Sequence, residues 1–370
     1  MDVLKRLLPA LLFSAIVFYG CKKDEETTPA STPPVLAPTP EITNNYSGSA
    51  SYGDLMTFEI NQSKKTYKLH NETTGKSESG SYVVNESKAK GLYAAKAGGE
   101  SFYAVELDDK IIASNFPSGN SANQISFGVS SEIDNTGKEA LIAGDYIYVR
   151  MGNVPINGSM AYKEWGIFTA TTDGKIHLND AASGGSGDYD VIDPETVDQI
   201  PNLFPKVAST ADYSGAWSFH SSKKGHVNVT LDGATVSGYA YVAGAESVFL
   251  IDLGTGKGFA LAYKITSSTL SSIAGEYKFV DTWNDGTIGA GVYNIAAGGT
   301  VSYYHVDKKG TESSSSFGPL KQLNQLSNVY VYYDAAEQET YYLIVTGDAI
   351  MHFIFNDNGE FQSYGAGARI

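Results

Sequence analysis

The clearest strand pattern of the chain is at residues 226–236, His226-Val227-Asn228-Val229-Thr230-Leu231-Asp232-Gly233-Ala234-Thr235-Val236. Apolar and polar side chains alternate with a period of two, and an Asp-Gly pair between two such runs is a strong β-hairpin signal. The same pattern pairs residues 58–60 with residues 67–69 across a turn at 63–65. Further turns are predicted at Asp173-Gly174, Gly298-Gly299 and Asn358-Gly359. Many short strands with regular turns predict an all-β antiparallel protein, a β-barrel or a β-sandwich.

Helix signals are few and short. Residues 193–196 offer an N-cap and a proline in the first turn, but Pro201 ends any helix there. Residues 318–328 place leucines at positions 320, 323 and 326 and form the second helix candidate. Both are expected to plug an end or cover an edge of the β structure.

Four short patterns recur in the same order and predict a tandem duplication. They pair 46–48 with 213–215, 79–84 with 237–242, 97–107 with 243–253, and 142–149 with 273–280. Conservative exchanges such as Asp for Glu and Tyr for Phe accompany the matches. We therefore expect two homologous β domains, residues 46–208 and 209–370.

The composition excludes several classes of protein. The 370 residues include 26 Lys and Arg against 41 Asp and Glu, a net charge of −15. Because phosphate contacts draw on clustered basic side chains, this balance argues against a nucleic-acid partner. A single cysteine allows no intramolecular disulfide and no zinc or iron–sulfur site built from cysteines.

The N-terminal 20 residues have the pattern of a signal peptide. Lys5 and Arg6 precede an apolar run, residues 7–19, that is too short to span a bilayer, and Gly20-Cys21 follows. This pattern resembles a bacterial lipoprotein signal, which implies cleavage before Cys21 and lipidation of its thiol. Residues 21–45 then form a Pro/Thr-rich tether, so the expected membrane contact is the N-terminal lipid anchor.

The tether begins with Lys22-Lys23-Asp24-Glu25-Glu26. This segment is similar to the export tag of surface lipoproteins in Bacteroidota-type bacteria, which implies an outer-membrane protein that faces the medium. A periplasm-facing lipoprotein is the alternative.

In the body, Gly215-Ala216-Trp217 resembles the opening motif of lipocalin-like (calycin) barrels, which implies a tryptophan packed across one barrel end and favours a barrel over a sandwich.

Catalytic motifs are absent from the sequence. It has no Gly-x-Ser-x-Gly elbow and no His-Glu-x-x-His pair, and no cysteine other than Cys21 is present to act as a nucleophile in the folded part. Residues 254–258, Gly-Thr-Gly-Lys-Gly, lack the Walker spacing and are expected to be a hairpin loop. We predict no catalytic residue and no cofactor. A carboxylate-dependent hydrolase stays the least favoured alternative, because carboxylate pairs leave no spacing signature.

Two clusters contain residue types that bind metal ions. His220 and His226 flank a five-residue loop and are expected to face each other, but Lys223 and Lys224 oppose a cation. Acidic residues around Asp188 form a flexible loop of the kind calcium prefers, without the EF-hand spacing. An exposed polar pair and a solvated loop are the simpler interpretations, so no metal site is predicted.

Aromatic residues are the most suggestive feature, at 12% of the chain. Trp165 and Trp283 stand beside polar and turn residues, a composition typical of platforms that stack a sugar ring; packing over a barrel end is the competing interpretation. The predicted function is a non-enzymatic surface lipoprotein that binds a glycan at these residues or a small apolar molecule inside a barrel. The alternative is an accessory subunit that docks onto an outer-membrane protein.

Overall fold

The computed structural model describes residues 40–85, 91–107, 109–116, 125–132, 137–152, 162–179, 213–231, 234–241, 247–323, 326–356 and 361–369. The described strands lie in one compact unit, Glu41–Ile370, and form three antiparallel sheets in succession along the chain. The prediction of an all-β antiparallel protein is confirmed. The predictions for the signal, Cys21, the acidic loop at Asp188 and the helix at 193–196 fall outside the described residues.

The first sheet is a nine-stranded meander. Its strands are β1 (Thr43–Ala50), β2 (Asp54–Asn61), β3 (Thr66–Asn71), β4 (Lys76–Ser81), β5 (Val83–Val84), β6 (Tyr93–Ala97), β7 (Glu100–Leu107), β8 (Ile111–Ser114) and β9 (Ser126–Ser130). The order is β4-β3-β2-β1-β9-β8-β7-β6-β5, so the pairing of β1 with β9 curls the sheet and leaves β4 and β5 as its edges. The predicted hairpin is confirmed, with Glu59 opposite Lys68.

The second sheet is a closed eight-stranded barrel. After a single helical turn, α1 (Glu139–Ile142), come β10 (Gly144–Gly152), β11 (Tyr162–Ala170), β12 (Lys175–Asn179), β13 (Tyr213–Phe219), β14 (His226–Leu231), β15 (Ala234–Tyr241), β16 (Val248–Asp252) and β17 (Phe259–Lys264). β10 pairs with both β11 and β17, which closes the ring. The hairpin predicted at residues 226–236 forms β14 and β15, with Leu231 opposite Ala234.

Trp217 packs inside this barrel and donates its indole N–H to the Thr171 carbonyl at 3.2 Å. It stands on the fourth strand, however, whereas the lipocalin resemblance implies the first.

The third sheet repeats the order of the first. Its strands are β18 (Gly275–Trp283), β19 (Ile288–Ile295), β20 (Val301–Asp307), β21 (Glu312–Phe317), β22 (Lys321–Leu323), β23 (Leu326–Asp334), β24 (Glu339–Thr346), β25 (Ala349–Asn356) and β26 (Phe361–Arg369). β18 pairs with β26, and the edges are β21 and β22. Phe317 at the end of β21 stacks on Tyr332 and Tyr341, with ring centroids 5.2 and 4.9 Å apart, so aromatic packing draws the two sides of the sheet together.

The predicted helix at residues 318–328 is wrong. The segment instead supplies β22 and the start of β23. Its three leucines do not share one face: Leu320 packs inside the third sheet, whereas Leu323 and Leu326 belong to a separate apolar cluster. Tertiary packing on two sides overrides the helical spacing.

That separate cluster, which we call the common core, is built from the outer faces of all three sheets. Its members include Val105, Phe127, Ile147, Leu261, Ile344 and Phe353. Each sheet also has its own apolar interior. The strands that face the common core are therefore buried on both sides, which explains why β8 and β25 show almost no polar alternation.

The sheets divide the chain differently from the two expected halves. β12 and β13 pair in one barrel, with Ile176 opposite Gly215, so the expected boundary at 208/209 falls within a single sheet. Of the four recurring patterns, the last is structurally equivalent: Gly144 and Gly275 open the first strands of two consecutive sheets with φ of 146° and 152°, a region that favours glycine. The homology of the two halves stays a prediction.

Candidate functional site

One end of the third sheet is polar inside, and Trp283 lies at that end. Strand alternation sends Tyr277, Phe279, Asp281 and Trp283 of β18 to the same face. Tyr277 and Phe279 pack in the apolar interior, whereas Asp281, the next residue on this face, brings a carboxyl group that is also fully buried. The polarity of the interior therefore changes along a single strand.

Asp281 holds two side chains in place. His305 Nε2 on β20 lies 3.0 Å from Asp281 Oδ1, and the Trp283 indole N–H donates to Asp281 Oδ2 at 3.1 Å. Burial opposes the charged imidazolium, but the charge and hydrogen bond of Asp281 outweigh it and raise the pKa of His305. Because both oxygens of one buried carboxylate are engaged, the indole and the imidazole have fixed orientations.

His352 on β25 completes this group, which we call the aspartate–histidine cluster (Asp281, Trp283, His305 and His352). Its ring meets Phe279 and Tyr293 edge-on, with centroids 4.7 and 5.4 Å apart. Nδ1 of His352 is buried and has no hydrogen-bond partner in the described part of the chain. Burial lowers the pKa of His352 to about 4, so this ring is neutral at neutral pH.

Glycines on both sides of Asp281 make room for the two imidazoles. Gly289 on β19 and Gly365 on β26 both stand opposite Asp281 in the register. A Cβ at Gly289 would meet the His305 ring, and one at Gly365 would meet the His352 ring. The packing at this end therefore requires glycine at both positions.

The outer part of the cluster is a polar rim around the half-buried Trp283. The β18–β19 turn is tight: the Trp283 N–H donates to the Thr287 carbonyl at 2.8 Å, and the Gly286 N–H donates back to the Trp283 carbonyl at 2.9 Å. The Asn284 amide donates to Gln362 Oε1 at 2.7 Å, which joins this turn to β26. We call Trp283, Asn284 and Gln362 the Trp283 edge; it combines an aromatic face with fixed amides.

The two predicted tryptophans do not lie together. Trp165 is on β11, with its backbone opposite Val149 in the closed barrel, and its side chain falls outside what the structure describes. Trp283 belongs to the third sheet. Sequence reasoning missed His305 and His352, which reach the cluster from other strands. The available signal was a histidine directly beside an aromatic residue in β20 and in β25.

The two histidines of the barrel hairpin face each other, with ring centroids 6.2 Å apart. Nδ1 of His220 accepts the backbone N–H groups of Ser222 and Lys223 at 3.2 and 3.1 Å, which occupies one potential metal ligand. Burial, Lys223 and His220 lower the pKa of His226 to about 4. Within the described ranges, no group of three or more His, Cys, Asp or Glu residues is arranged to hold a metal ion.

The glycine-rich loop at 254–258 joins β16 to β17, as expected for a hairpin loop. Its Gly256 N–H donates to the Tyr52 carbonyl at 2.7 Å, so the loop packs against the first sheet. In the part of the chain that is described, no helix is both long and apolar enough to cross a membrane.

Comparison with known proteins identifies no family for this chain. No protein-family model matches the chain, and no curated protein does. A DUF3598-family protein of unknown function from Nostoc punctiforme is 9% identical, with a TM-score of 0.20, covering 62% of this chain and 97% of its own. A transferrin binding protein B mutant from Haemophilus parasuis is also 9% identical, with a TM-score of 0.27 and coverages of 90% and 76%.

A further solved structure, transferrin binding protein B from serogroup B Neisseria meningitidis, is 12% identical with a TM-score of 0.25, covering 86% of this chain and 66% of its own. At these identities and TM-scores, the likenesses carry no argument about what this chain binds.

Proposed function

We propose that this chain is a non-enzymatic lipoprotein of the bacterial outer surface that binds a glycan at the Trp283 edge. The single observation that carries the proposal is the fixed, half-buried indole of Trp283, held through its N–H by the buried Asp281. A rigid aromatic ring loses little conformational entropy when a sugar ring stacks on it. Asn284 and Gln362 beside it offer amide donors and acceptors for hydroxyl groups.

The anchoring part of the proposal rests on the lipoprotein signal and the Lys-acidic segment of the sequence. If the folded part faces the medium, protease added to intact cells should degrade it. Complete protection in intact cells, with degradation after the outer membrane is opened, would favour the periplasm-facing alternative.

We expect Trp283→Ala to weaken glycan binding about fivefold, because a stacked aromatic contact contributes on the order of 1 kcal/mol. The labelled full-length chain would be applied to an array of bacterial and mammalian oligosaccharides, and the strongest binder titrated against wild type and variant. Trp283→Phe should restore most of the affinity, since a ring remains.

Val83→Ala is the matched control, because Val83 is an apolar side chain with 66% exposure on the first sheet. An array with no binder, or a binder whose affinity is the same for Trp283→Ala, would remove the Trp283 edge as a glycan site. An outer-membrane protein that co-purifies with wild type and Trp283→Ala alike would then support the accessory-subunit alternative.

A further inference from the structure

A second candidate site lies on the first sheet, far along the chain from Trp283. A cleft of about 560 Å³ opens on the outer face of β1 to β4, and Ser131 and Glu132, which follow β9, form part of its wall. Ser131 is fixed there, because its N–H donates to the Asn45 carbonyl at 2.9 Å and its hydroxyl to the same oxygen at 3.1 Å. The volume is in the range of small-ligand sites.

A row of hydrogen-bonding side chains crosses the cleft. Ser47, Thr57, His70 and Ser77 stand opposite one another on four successive strands. Neighbouring strands lie about 4.8 Å apart, so the row presents three hydroxyls and an imidazole at regular spacing. His70 Nδ1 and Ser77 Oγ are 2.9 Å apart, which orients the imidazole. Hydroxyl groups both donate and accept, so the row suits a ligand that does the same.

The next row carries opposite charges. Glu59 and Lys68 are exposed side chains that stand directly opposite each other on β2 and β3, with Asn45 beyond Glu59 on β1. A carboxylate acceptor beside an ammonium donor can engage two adjacent hydroxyls of one ligand. Since Glu132 adds a second negative charge, the cleft has no surplus of positive charge to attract a phosphate or a carboxylate.

We propose that this cleft is a second binding site, separate from the Trp283 edge, for an uncharged, hydroxyl-rich ligand of mono- or disaccharide size. Tyr46 and Phe58 also line the cleft. The row of hydroxyls and the charged pair favour a polar ligand over the small apolar molecule that the sequence left open, because these polar groups would lose water to an apolar molecule without gaining partners. The site uses hydrogen bonds from side chains on four paired strands, where the Trp283 edge uses an aromatic face.

The test uses the purified full-length chain and saturation-transfer NMR with maltose, cellobiose, lactose and sucrose as probes. At least one of these sugars should receive saturation from wild type. Glu59→Gln should lower the affinity for that sugar about tenfold, the loss expected for one charge-assisted hydrogen bond. Thr57→Trp, which fills the cleft with a ring while keeping a side chain suited to a strand, should abolish the signal.

Glu78→Gln is the matched control, since it is the same chemical change on exposed β4 outside the lining, and it should leave the signal unchanged. No saturation of any probe by wild type, or equal saturation in wild type, Glu59→Gln and Thr57→Trp, would overturn the proposal. Because Glu59 and Trp283 stand on different sheets, this experiment decides only on the cleft, and the array with Trp283→Ala decides only on the Trp283 edge.

Discussion

Gly367→Ala should lower the free energy of unfolding by about 3 kcal/mol, near the upper end of what overpacking costs. Gly367 stands on β26 opposite Phe279 of β18, where the first and last strands of the third sheet pair. A Cβ at this position would collide with the Lys278 carbonyl oxygen and the Phe279 Cα. Both are backbone atoms, so no side-chain rotation relieves the clash and the strand pairing itself must shift.

The measurement is the urea midpoint of the full-length chain, followed by circular dichroism. Gly298→Ala is the matched control, because nothing lies within 4 Å of a Cβ added there, and it should leave the midpoint nearly unchanged. A wild-type midpoint for Gly367→Ala would mean that β18 and β26 are not in such close contact.

The same close approach occurs where the first and last strands of the first sheet pair. Gly48 of β1 and Gly128 of β9 stand opposite each other, and a Cβ on Gly48 would collide with the Phe127 carbonyl. Both nine-stranded sheets therefore use glycine at the junction between their first and last strands. Curling a sheet this tightly needs positions without a side chain at the seam.

Acid should destabilise the protein through His352. The pKa of this histidine falls from 6.5 to about 4 on burial, so its contribution to stability is complete above pH 6.5 and is lost as the pH falls towards 4. Between pH 7 and pH 5 the expected loss is about 2 kcal/mol, because the unfolded chain binds a proton that the folded chain does not.

Comparison of wild type with His352→Leu isolates this contribution. The fall in unfolding free energy from pH 7 to pH 5 should be smaller in the variant, whereas above pH 7 the difference between the two proteins should be constant. His305 acts in the opposite direction: its pKa is raised, so its contribution is present below pH 6.5 and is lost as the pH rises. An identical pH dependence for both proteins would show that His352 is not buried and neutral.

The local strand signals predicted much of the fold. The hairpin of β14 and β15 and the pairing of Glu59 with Lys68 follow from alternation and turn chemistry, which act over a few residues. The number of sheets could not be predicted from these local signals. β10 pairs with β17, which lies more than 100 residues later, and no local pattern encodes that pairing. The helix predicted from the leucines at 320–326 is wrong for a related reason, because these leucines pack in two different cores.

The candidate site was predictable only in part. Trp283 stands out in the sequence because polar turn residues surround it. The structure has a turn at this place, closed by hydrogen bonds of the Trp283 backbone. The carboxylate that holds its indole is two residues away, but the two imidazoles come from β20 and β25, and only the curl of the sheet brings them together. A buried charge pair of this kind depends on the three-dimensional closure and leaves little trace in sequence spacing.

The common core has a consequence for how this chain can vary. In a barrel surrounded by water, the outward positions of each strand accept most polar residues, and only the inward positions are constrained. Here the outer faces of β8, β24 and β25 pack in the common core. An outward Ile344 or Phe353 is therefore as constrained as an inward Leu343. Mutational tolerance should therefore concentrate on the walls that face away from the common core, where the polar cleft of β1 to β4 is found.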